Sequence, residues 1–333
     1  MEKVLSVSIA AYNVEKFLSQ TLDSLVVSEI MDELEVIVVS DGSTDQTAAI
    51  AKEYCDRYPN TFVLIDKANG GYGSTINAAV KVARGKYFRL LDGDDWFDSE
   101  GLKSFIIQLK DADEDMIITK FKRVFDSDGH EEERDQTVLL AKESGTFDDV
   151  NSSEWFTMHG TTFRTAIWKE NNIQITEHCF YTDQEYDLLP LRWVKTIRRI
   201  PVMLYCYRIG RAEQSVSPQG LEKHYMEEEK VLNKLYEVYS KVDEEKTAKD
   251  KYIFNYLSLR TQFHIGIYLI ISNTVEHKKQ MIDFIEKLKK NRPLIYERVL
   301  KNSKSIHVLV SSKYLAYGTL QKYKSSKLRN KNN

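Results

Sequence analysis

The first 92 residues alternate between apolar runs and segments whose apolar residues have helical spacing. Buried strands are predicted where the apolar runs are almost continuous, at 4–12, 33–40, 61–66 and 86–92. Helices are predicted between them, at 13–27, 44–58 and 74–83. Strands joined by helical crossovers indicate an α/β fold, with a mainly parallel sheet that carries helices on both faces.

Polar side chains follow these strands at the points where the strands end. They are Asn13, Asp41, Asn69 and an acidic cluster formed by Asp92, Asp94 and Asp95. The carboxyl ends of parallel strands lie at one edge of the sheet, and ligands bind at that edge near the point where the strand order reverses. We therefore expect the ligand site of this protein there.

The acidic cluster lies in the segment 90–98, which reads LLDGDDWFD. Adjacent carboxylates repel each other. Helix capping accounts for Asp98 or Ser99 but not for the three acids of the cluster, which come too early. Oxygen-rich acidic sites suit Mg²⁺ or Mn²⁺, and Mg²⁺ completes its shell with water and substrate phosphates. A cation bound at the cluster would hold a diphosphate that the bare carboxylates repel.

Other phosphate-binding motifs are missing. No G-x-G-x-x-G follows the first strand and no G-x-x-x-x-G-K-[ST] occurs, so metal and side chains must bind the phosphates. Asp41 lies just outside the second helix, where it could accept a hydrogen bond from a base or ribose. Ser43 with Gln46, and Thr182 with Glu185, predict capping boxes at two helix starts.

The composition, with 42% hydrophobic and 29% charged residues, is that of a soluble globular protein. A net charge of −3 does not imply a nucleic acid or other polyanion as partner of the whole chain. Three cysteines favour a reducing compartment. We expect a cytoplasmic protein without a signal peptide. The apolar stretch 263–272 predicts a buried helix, because a bilayer span takes about 20 residues.

The pattern becomes purely helical from about Leu221, after a middle region of short strands and helices. We predict an α/β domain at 1–217 and a helical domain at 218–333. After Glu297 the chain has basic residues but no acid. This tail is either a frayed, solvated end or a peripheral contact with the anionic inner face of the cell membrane.

Four segments together carry a family resemblance. They are VSIAAYN (7–13), VIVVSDGSTDQT (36–47), the turn Asn69-Gly70-Gly71 and ARGKYFRLLDGDDWF (83–97). In this order they resemble the family 2 nucleotide-sugar glycosyltransferases, which have the GT-A fold. The resemblance covers about residues 4–215, and it implies that the domain at 1–217 is catalytic, with a donor-binding half at about 1–125 and an acceptor half at about 126–217. It implies an inverting transferase that uses a nucleotide-diphosphate sugar, expected to be a UDP-sugar, and Mn²⁺ or Mg²⁺.

The resemblance also implies roles for individual residues on the donor side. Ala10, Tyr12 and Asp41 would hold the base, and Asn69 would line the same pocket. Asp92 and Asp94 would be the DxD pair that binds ribose, diphosphate and metal, with Asp95 as a further ligand. The segment 204–217 resembles the family region in which an arginine and a later serine contact the diphosphate, which points to Arg208 and Ser215, with Arg211 as a second candidate. An ordinary strand and a basic loop would explain this segment equally well.

The general base is predicted in the segment 177–193. Asp183 lies in the first turn of a predicted helix, where the helix dipole favours the ionised form that a base requires. It also resembles the family position whose aspartate deprotonates the acceptor hydroxyl, with Glu185 as the alternative. His159 would either face the acceptor or be structural, and Trp96 would either wall the sugar pocket or belong to the core.

Two departures from the family pattern leave the nucleotide open. The triplet Thr75-Ile76-Asn77 lacks the arginine that the family often has at its centre, and Ala10 replaces a frequent proline. The acceptor would be a glycan, lipid-linked or polymeric hydroxyl, and the expected setting is bacterial surface polysaccharide synthesis. Alternatives are a sugar nucleotidyltransferase, whose Gly-rich basic loop is absent after the first strand, and a non-catalytic carbohydrate-binding or partner subunit, which the Ile76 departure supports.

Overall fold

The computed structural model describes residues 3–151, 154–210, 218–241, 246–272 and 274–329. The chain forms two compact units, Met1–Arg211 and Ala212–Asn333. The segment 211–217, which contains the predicted domain boundary, lies outside the described residues.

The first part of the sheet in the first unit is parallel throughout. Its strands are β1 (Leu5–Ala11), β2 (Leu34–Asp41), β3 (Phe62–Lys67) and β4 (Tyr87–Asp92). They lie in the order β3-β2-β1-β4, with parallel register between all neighbours. These strands confirm the four predicted ones. The strand order reverses between β1 and β4, which makes the carboxyl ends of these two strands the expected ligand site.

Three helices connect these strands, namely α1 (Glu15–Asp23), α2 (Thr47–Arg57) and α3 (Tyr72–Val82). A fourth, α4 (Ser99–Lys110), follows them and leads to the second part of the sheet. Helix α4 buries Leu102, Phe105, Ile106 and Leu109, a spacing that places all four side chains on one face of the helix. Its predicted cap is confirmed, since the Asp98 carboxylate accepts a hydrogen bond from the Gly101 N–H at 2.8 Å.

The capping box predicted for α2 is wrong. The helix begins at Thr47 rather than at residue 44, and its N-cap residue, Gln46, makes no side-chain capping bond. The Thr47 N–H is held instead by the Asp45 carboxylate at 3.0 Å. Ser43 is used elsewhere, because its hydroxyl accepts a hydrogen bond from the Asn13 N–H at 3.2 Å. A contact with the loop after β1 has thus replaced the local cap.

The second part of the sheet is mixed. It contains β5 (Trp96–Phe97), β6 (Met116–Phe125), β7 (Glu131–Asp135), β8 (Ser144–Gly145), β9 (Thr161–Arg164) and β10 (Ile197–Ile209). Strand β9 is antiparallel to its neighbours β4 and β6, and β10 runs parallel to β6 and antiparallel to β5. The pairing of β5 with β10 places the segment after the acidic cluster beside Tyr205 and Cys206. Two short helices precede β10, namely α5 (Thr165–Glu170) and α6 (Asp183–Leu188).

The described elements of the second unit are helical, as predicted. They are α7 (Pro218–Val238), α8 (Ala248–Tyr268), α9 (Val275–Asn291), α10 (Pro293–Asn302), α11 (Lys304–Ser311) and α12 (Tyr317–Arg329). A capping box of Thr247 and Asp250 opens α8, and this helix includes the first part of the apolar stretch at 263–272. Among the described residues, no helix has the length and apolar character needed to cross a membrane.

Candidate active site

The acidic cluster lies at the carboxyl end of β4, where the strand order reverses. One carboxylate oxygen from each of Asp92, Asp94 and Asp95 lies within 4.8 Å of the other two. Within the part of the chain that the structure describes, this is the one group of at least three His, Cys, Asp or Glu side chains with such spacing. Three carboxylates at this separation fit a hard divalent cation, which prefers oxygen ligands.

Asp95 is the buried member of the cluster and is held by β10. One carboxylate oxygen accepts a hydrogen bond from the Tyr205 hydroxyl at 2.6 Å, and the other accepts from the Arg208 backbone N–H at 2.8 Å. Burial, followed by the charges of Asp92 and Asp94, raises the pKa of Asp95 well above its ordinary value. A cation in the cluster would offset this repulsion.

Two tyrosines that the sequence analysis did not single out position Asp92. The Tyr72 hydroxyl donates to the Asp92 carboxylate at 2.7 Å, and the Asp92 backbone N–H donates to the Tyr205 hydroxyl at 3.2 Å. Burial and the nearby Asp92 raise the pKa of Tyr72, so its phenol keeps the proton that it donates. Tyr72 lies next to the Asn-Gly-Gly turn, and Tyr205 lies three residues before Arg208. These positions beside recognised motifs are the sequence signals that could have pointed to the two tyrosines.

Arg208 supplies a positive charge beside the cluster. Its guanidinium lies 5.0 Å from the Phe17 ring centroid and 4.9 Å from that of Trp96. Its Nε donates to the Asp94 carbonyl at 2.9 Å, and one terminal nitrogen donates to the Asp126 carboxylate at 2.7 Å. Trp96 therefore contacts the Arg208 guanidinium. The expected contact of Arg208 with the diphosphate stays a prediction. Arg211 and Ser215 lie outside the described residues.

Asp41 anchors the turn after β3. One of its carboxylate oxygens accepts hydrogen bonds from the Lys67 ammonium at 2.7 Å and the Gly70 N–H at 2.9 Å, while the other accepts from the Gly71 N–H at 2.8 Å. The Asn69 amide donates to the Asp41 backbone carbonyl at 2.8 Å. The sequence analysis missed Lys67. A nucleotide base would have to bind Asp41 alongside these partners, and this contact stays a prediction.

Ala10 and Tyr12 lie at the end of β1, next to the acidic cluster. Ala10 is in register with Asp92, and its carbonyl accepts a hydrogen bond from the Gly93 N–H at 3.1 Å. The Tyr12 side chain is 54% exposed, so its ring is accessible to a ligand at this edge. The structure thus places both predicted base-binding residues at the strand-order switch.

Asp183 is the first residue of α6 and is exposed. The capping box predicted here is wrong, because the Thr182 side chain makes no capping hydrogen bond. The Glu185 carboxylate instead accepts from both the backbone N–H and the hydroxyl of Thr176, each at 2.7 Å. Glu185 is fully buried, so it holds the loop before α6 and is less accessible than Asp183 to an acceptor.

The loop before α6 rests on the Asn-Gly-Gly turn. The His178 N–H donates to the Gly70 carbonyl at 2.6 Å. Gly71 has a φ of +80°, and a Cβ there would lie 3.2 Å from the His178 backbone, while a Cβ on Gly73 would collide with the Thr176 carbonyl. The charges of Asp92 and Asp183 both raise the pKa of Tyr72. Tyr72 therefore lies near both the predicted base and the acidic cluster.

His159 packs among aromatic rings. Its ring centroid lies 4.3 Å from that of Tyr207, 5.0 Å from that of Tyr205 and 5.2 Å from that of Phe121. Burial, with smaller effects of nearby arginines, lowers the pKa of His159 to about 3, so the ring is neutral at pH 7. These contacts favour the structural interpretation of His159.

Comparison with known sequences points to one family. The family model described as "Glycosyl transferase family 2" matches residues 6–187. The putative glycosyltransferase EpsH of Bacillus subtilis (strain 168) is 32% identical over 125 residues, which are 38% of this chain and 36% of that protein. The poly(ribitol-phosphate) beta-glucosyltransferase of Bacillus spizizenii is 32% identical over 178 residues, or 52% of this chain and 27% of that protein. The matched regions thus span about a third of these relatives' own lengths.

Solved structures agree on the fold. Staphylococcus aureus TarS 1–349 in complex with UDP-GlcNAc superposes with a TM-score of 0.67 at 22% identity, covering 97% of this chain and 92% of that chain. The mannosyltransferase PcManGT of Pyrobaculum calidifontis, in complex with GDP-Man and Mn²⁺, has a TM-score of 0.52 at 14% identity and covers 98% and 87%. These likenesses confirm the predicted fold class.

Proposed function

This chain belongs to glycosyl transferase family 2, and from that premise we propose that it transfers a sugar from a UDP-sugar to an acceptor hydroxyl. One observation carries the proposal. A cluster of three carboxylates lies at the strand-order switch, and the loop that leads to the exposed Asp183 rests on the neighbouring turn at Gly70. The cluster proposed to bind the diphosphate and the proposed base are thus linked by the contact between the loop of Asp183 and this turn.

A divalent cation, Mn²⁺ or Mg²⁺, is proposed to bind Asp92 and Asp94, with Asp95 beside them. When bound, it supplies positive charge that stabilises the diphosphate as it leaves. The spacing of the three acids and the Mn²⁺ in the structurally similar mannosyltransferase support this proposal. Tyr72 orients the Asp92 carboxylate, and Arg208 adds a fixed positive charge next to the cluster.

Asp183 is proposed as the general base. It removes the proton from the acceptor hydroxyl, and the oxygen attacks the anomeric carbon as the bond to the diphosphate breaks. A single displacement of this kind inverts the anomeric configuration. The exposure of Asp183 at the start of α6 supports this role, since a base must reach the substrate.

The acceptor is proposed to be a hydroxyl of a polymer of the cell surface. One relative is a poly(ribitol-phosphate) glucosyltransferase, and TarS of Staphylococcus aureus, 29% identical over 217 residues, is a poly(ribitol-phosphate) N-acetylglucosaminyltransferase. Both names describe transfer to a polyol-phosphate polymer, which favours this class of acceptor over a free sugar.

A peripheral membrane contact through the C-terminal tail is also proposed. Leu315 and Tyr323 are 84% and 61% exposed, and the nearby Lys313 and Lys322 are exposed too. Exposed apolar and basic side chains together suit an anionic bilayer surface. The protein should co-sediment with phosphatidylglycerol vesicles and not with neutral phosphatidylcholine vesicles, and equal sedimentation with both would contradict this contact.

The test of the transferase is calorimetric titration with UDP, with and without Mn²⁺. We expect binding that needs the metal and that Asp94→Ala abolishes. The matched control is Asp32→Ala, which removes an exposed acid before β2 and should leave binding unchanged. Absence of UDP binding under both conditions would overturn the proposal. Asp183→Asn should keep UDP binding and lose transfer, and retained turnover would refute the assignment of the base.

A further inference from the structure

Tyr207 presents a hydroxyl group for which no hydrogen-bond partner is found among the described residues. It lies on β10, two residues after Tyr205, so the two side chains lie on the same face of the strand. The Tyr205 hydroxyl contacts the Asp95 carboxylate at 2.6 Å. The His159 ring lies against both tyrosines, with centroids 5.0 Å and 4.3 Å away. Tyr207 thus continues, toward the strand end, the row of side chains that reaches the acidic cluster.

The carboxylates that act electrostatically on Tyr207 belong to both proposed reacting groups. Burial is the largest cause that raises the pKa of the Tyr207 phenol. The charges of four carboxylates raise it further, namely Asp92, Asp95, Asp183 and Asp94. The phenol is therefore protonated at pH 7, and it is near both the cluster and the predicted base. Its ring is half-buried, in contrast to the fully buried ring of Tyr205.

We propose that the Tyr207 hydroxyl binds a hydroxyl group of the transferred sugar. This inference rests on the proposed function. The diphosphate lies at Asp92 and Asp94, and the acceptor hydroxyl lies at Asp183, so the sugar ring occupies the space between them. A phenol both donates and accepts hydrogen bonds, which suits a sugar hydroxyl that does the same.

The hydroxyls of Tyr72 and Tyr205 differ from that of Tyr207 because protein groups already bind them. Their removal would disturb the protein itself. Removal of the Tyr207 hydroxyl leaves no protein group without its partner, so Tyr207→Phe should unfold at the wild-type temperature. An activity loss without a stability loss would then identify a substrate contact.

The experiment compares Tyr207→Phe with Tyr58→Phe. Tyr58 is a half-buried tyrosine at the end of α2 that packs on Phe62 and has no hydrogen bond through its hydroxyl among the described residues. UDP release is measured from UDP-glucose and UDP-GlcNAc in the presence of Mn²⁺. We expect kcat/KM to fall about three- to tenfold in Tyr207→Phe alone, as for one lost neutral hydrogen bond. The affinity for UDP, which lacks the sugar, should not change.

A second measurement identifies the contacted hydroxyl. The kcat/KM of the wild-type protein should fall by the same factor with one deoxy-sugar donor. The kcat/KM of Tyr207→Phe should not fall further with that donor. Wild-type activity in Tyr207→Phe, or an equal loss of UDP affinity, would overturn the inference and leave the transferase intact. A wild-type protein that releases UDP from neither donor and binds no UDP would overturn the proposed function, and this inference with it.

Discussion

Replacing Asn77 by alanine removes the side chain that ties α3 to the loop of the predicted base. Asn77 is 5% exposed. Its amide nitrogen donates to the Ile175 carbonyl at 2.8 Å and to the Glu177 carboxylate at 3.0 Å, while its oxygen accepts from the Ile175 N–H at 2.8 Å. One side chain thus satisfies both backbone groups of Ile175, at the start of the segment that leads to Asp183.

The expected loss of unfolding free energy follows from the buried backbone groups that the substitution leaves without a partner. The N–H and the carbonyl of Ile175 both lose their partner in a buried position, and each unsatisfied buried group costs about 1–3 kcal/mol. We expect the free energy of unfolding to fall by about 2–4 kcal/mol, since local shifts and water recover part of the loss. In a domain of this size each kcal/mol lowers Tm by roughly 2–4 °C, which predicts a fall of roughly 5–15 °C.

The assay is urea and thermal unfolding of Asn77→Ala beside Asn60→Ala. Asn60 is exposed before β3, so its substitution should change stability by less than about 0.5 kcal/mol. At a temperature where Asn77→Ala is folded, transfer should fall more than UDP affinity, because the loop of Asp183 loses its support. A change in stability as small as that of Asn60→Ala would refute the reasoning.

Three further predictions concern single contacts in the first unit. Tyr72→Phe removes the donor to Asp92 and should weaken Mn²⁺-dependent UDP binding roughly tenfold in calorimetry, and an unchanged affinity would contradict the positioning role. The pKa of His159 is about 3 in the fold and about 6.5 in the unfolded chain. The unfolded chain therefore binds the extra proton as pH falls below 6.5, and stability should drop by about 2 kcal/mol between pH 7.5 and 5.0 in urea unfolding, with a smaller drop in His159→Gln. Asp98→Ala should cost about 1 kcal/mol of unfolding free energy and Asp98→Asn much less, because asparagine also caps helices; equal losses would argue against the cap.

Local pattern was enough to predict the parallel strands and the place of the acidic cluster. Apolar runs separated by helical spacing specify crossovers, and parallel register then brings Ala10 and Asp92 to one edge. The hydrogen-bond partners of the cluster could not be predicted from local pattern. The contact between Tyr205 and Asp95 joins residues 110 positions apart, and no local periodicity encodes it.

The wrong capping boxes have the same physical origin. A Thr or Ser followed three residues later by Glu or Gln satisfies the local pattern, but tertiary partners competed for the side chains. Glu185 binds Thr176 and thereby fixes the loop of the predicted base, and Ser43 binds the Asn13 N–H of the loop after β1. In both cases a residue expected to cap one helix instead binds a loop at the candidate site.

The three acids of the cluster have different environments in the fold. Asp95 is tied through both oxygens to β10, by Tyr205 and by the Arg208 N–H. The same strand carries Tyr207, and the Arg208 side chain contacts the Asp94 carbonyl. A cation that binds at the cluster would stabilise the charged form of Asp95 and with it these hydrogen bonds. Metal binding and the placement of the side chains on β10 are then one linked equilibrium, in which Asp95 couples the cluster to the strand.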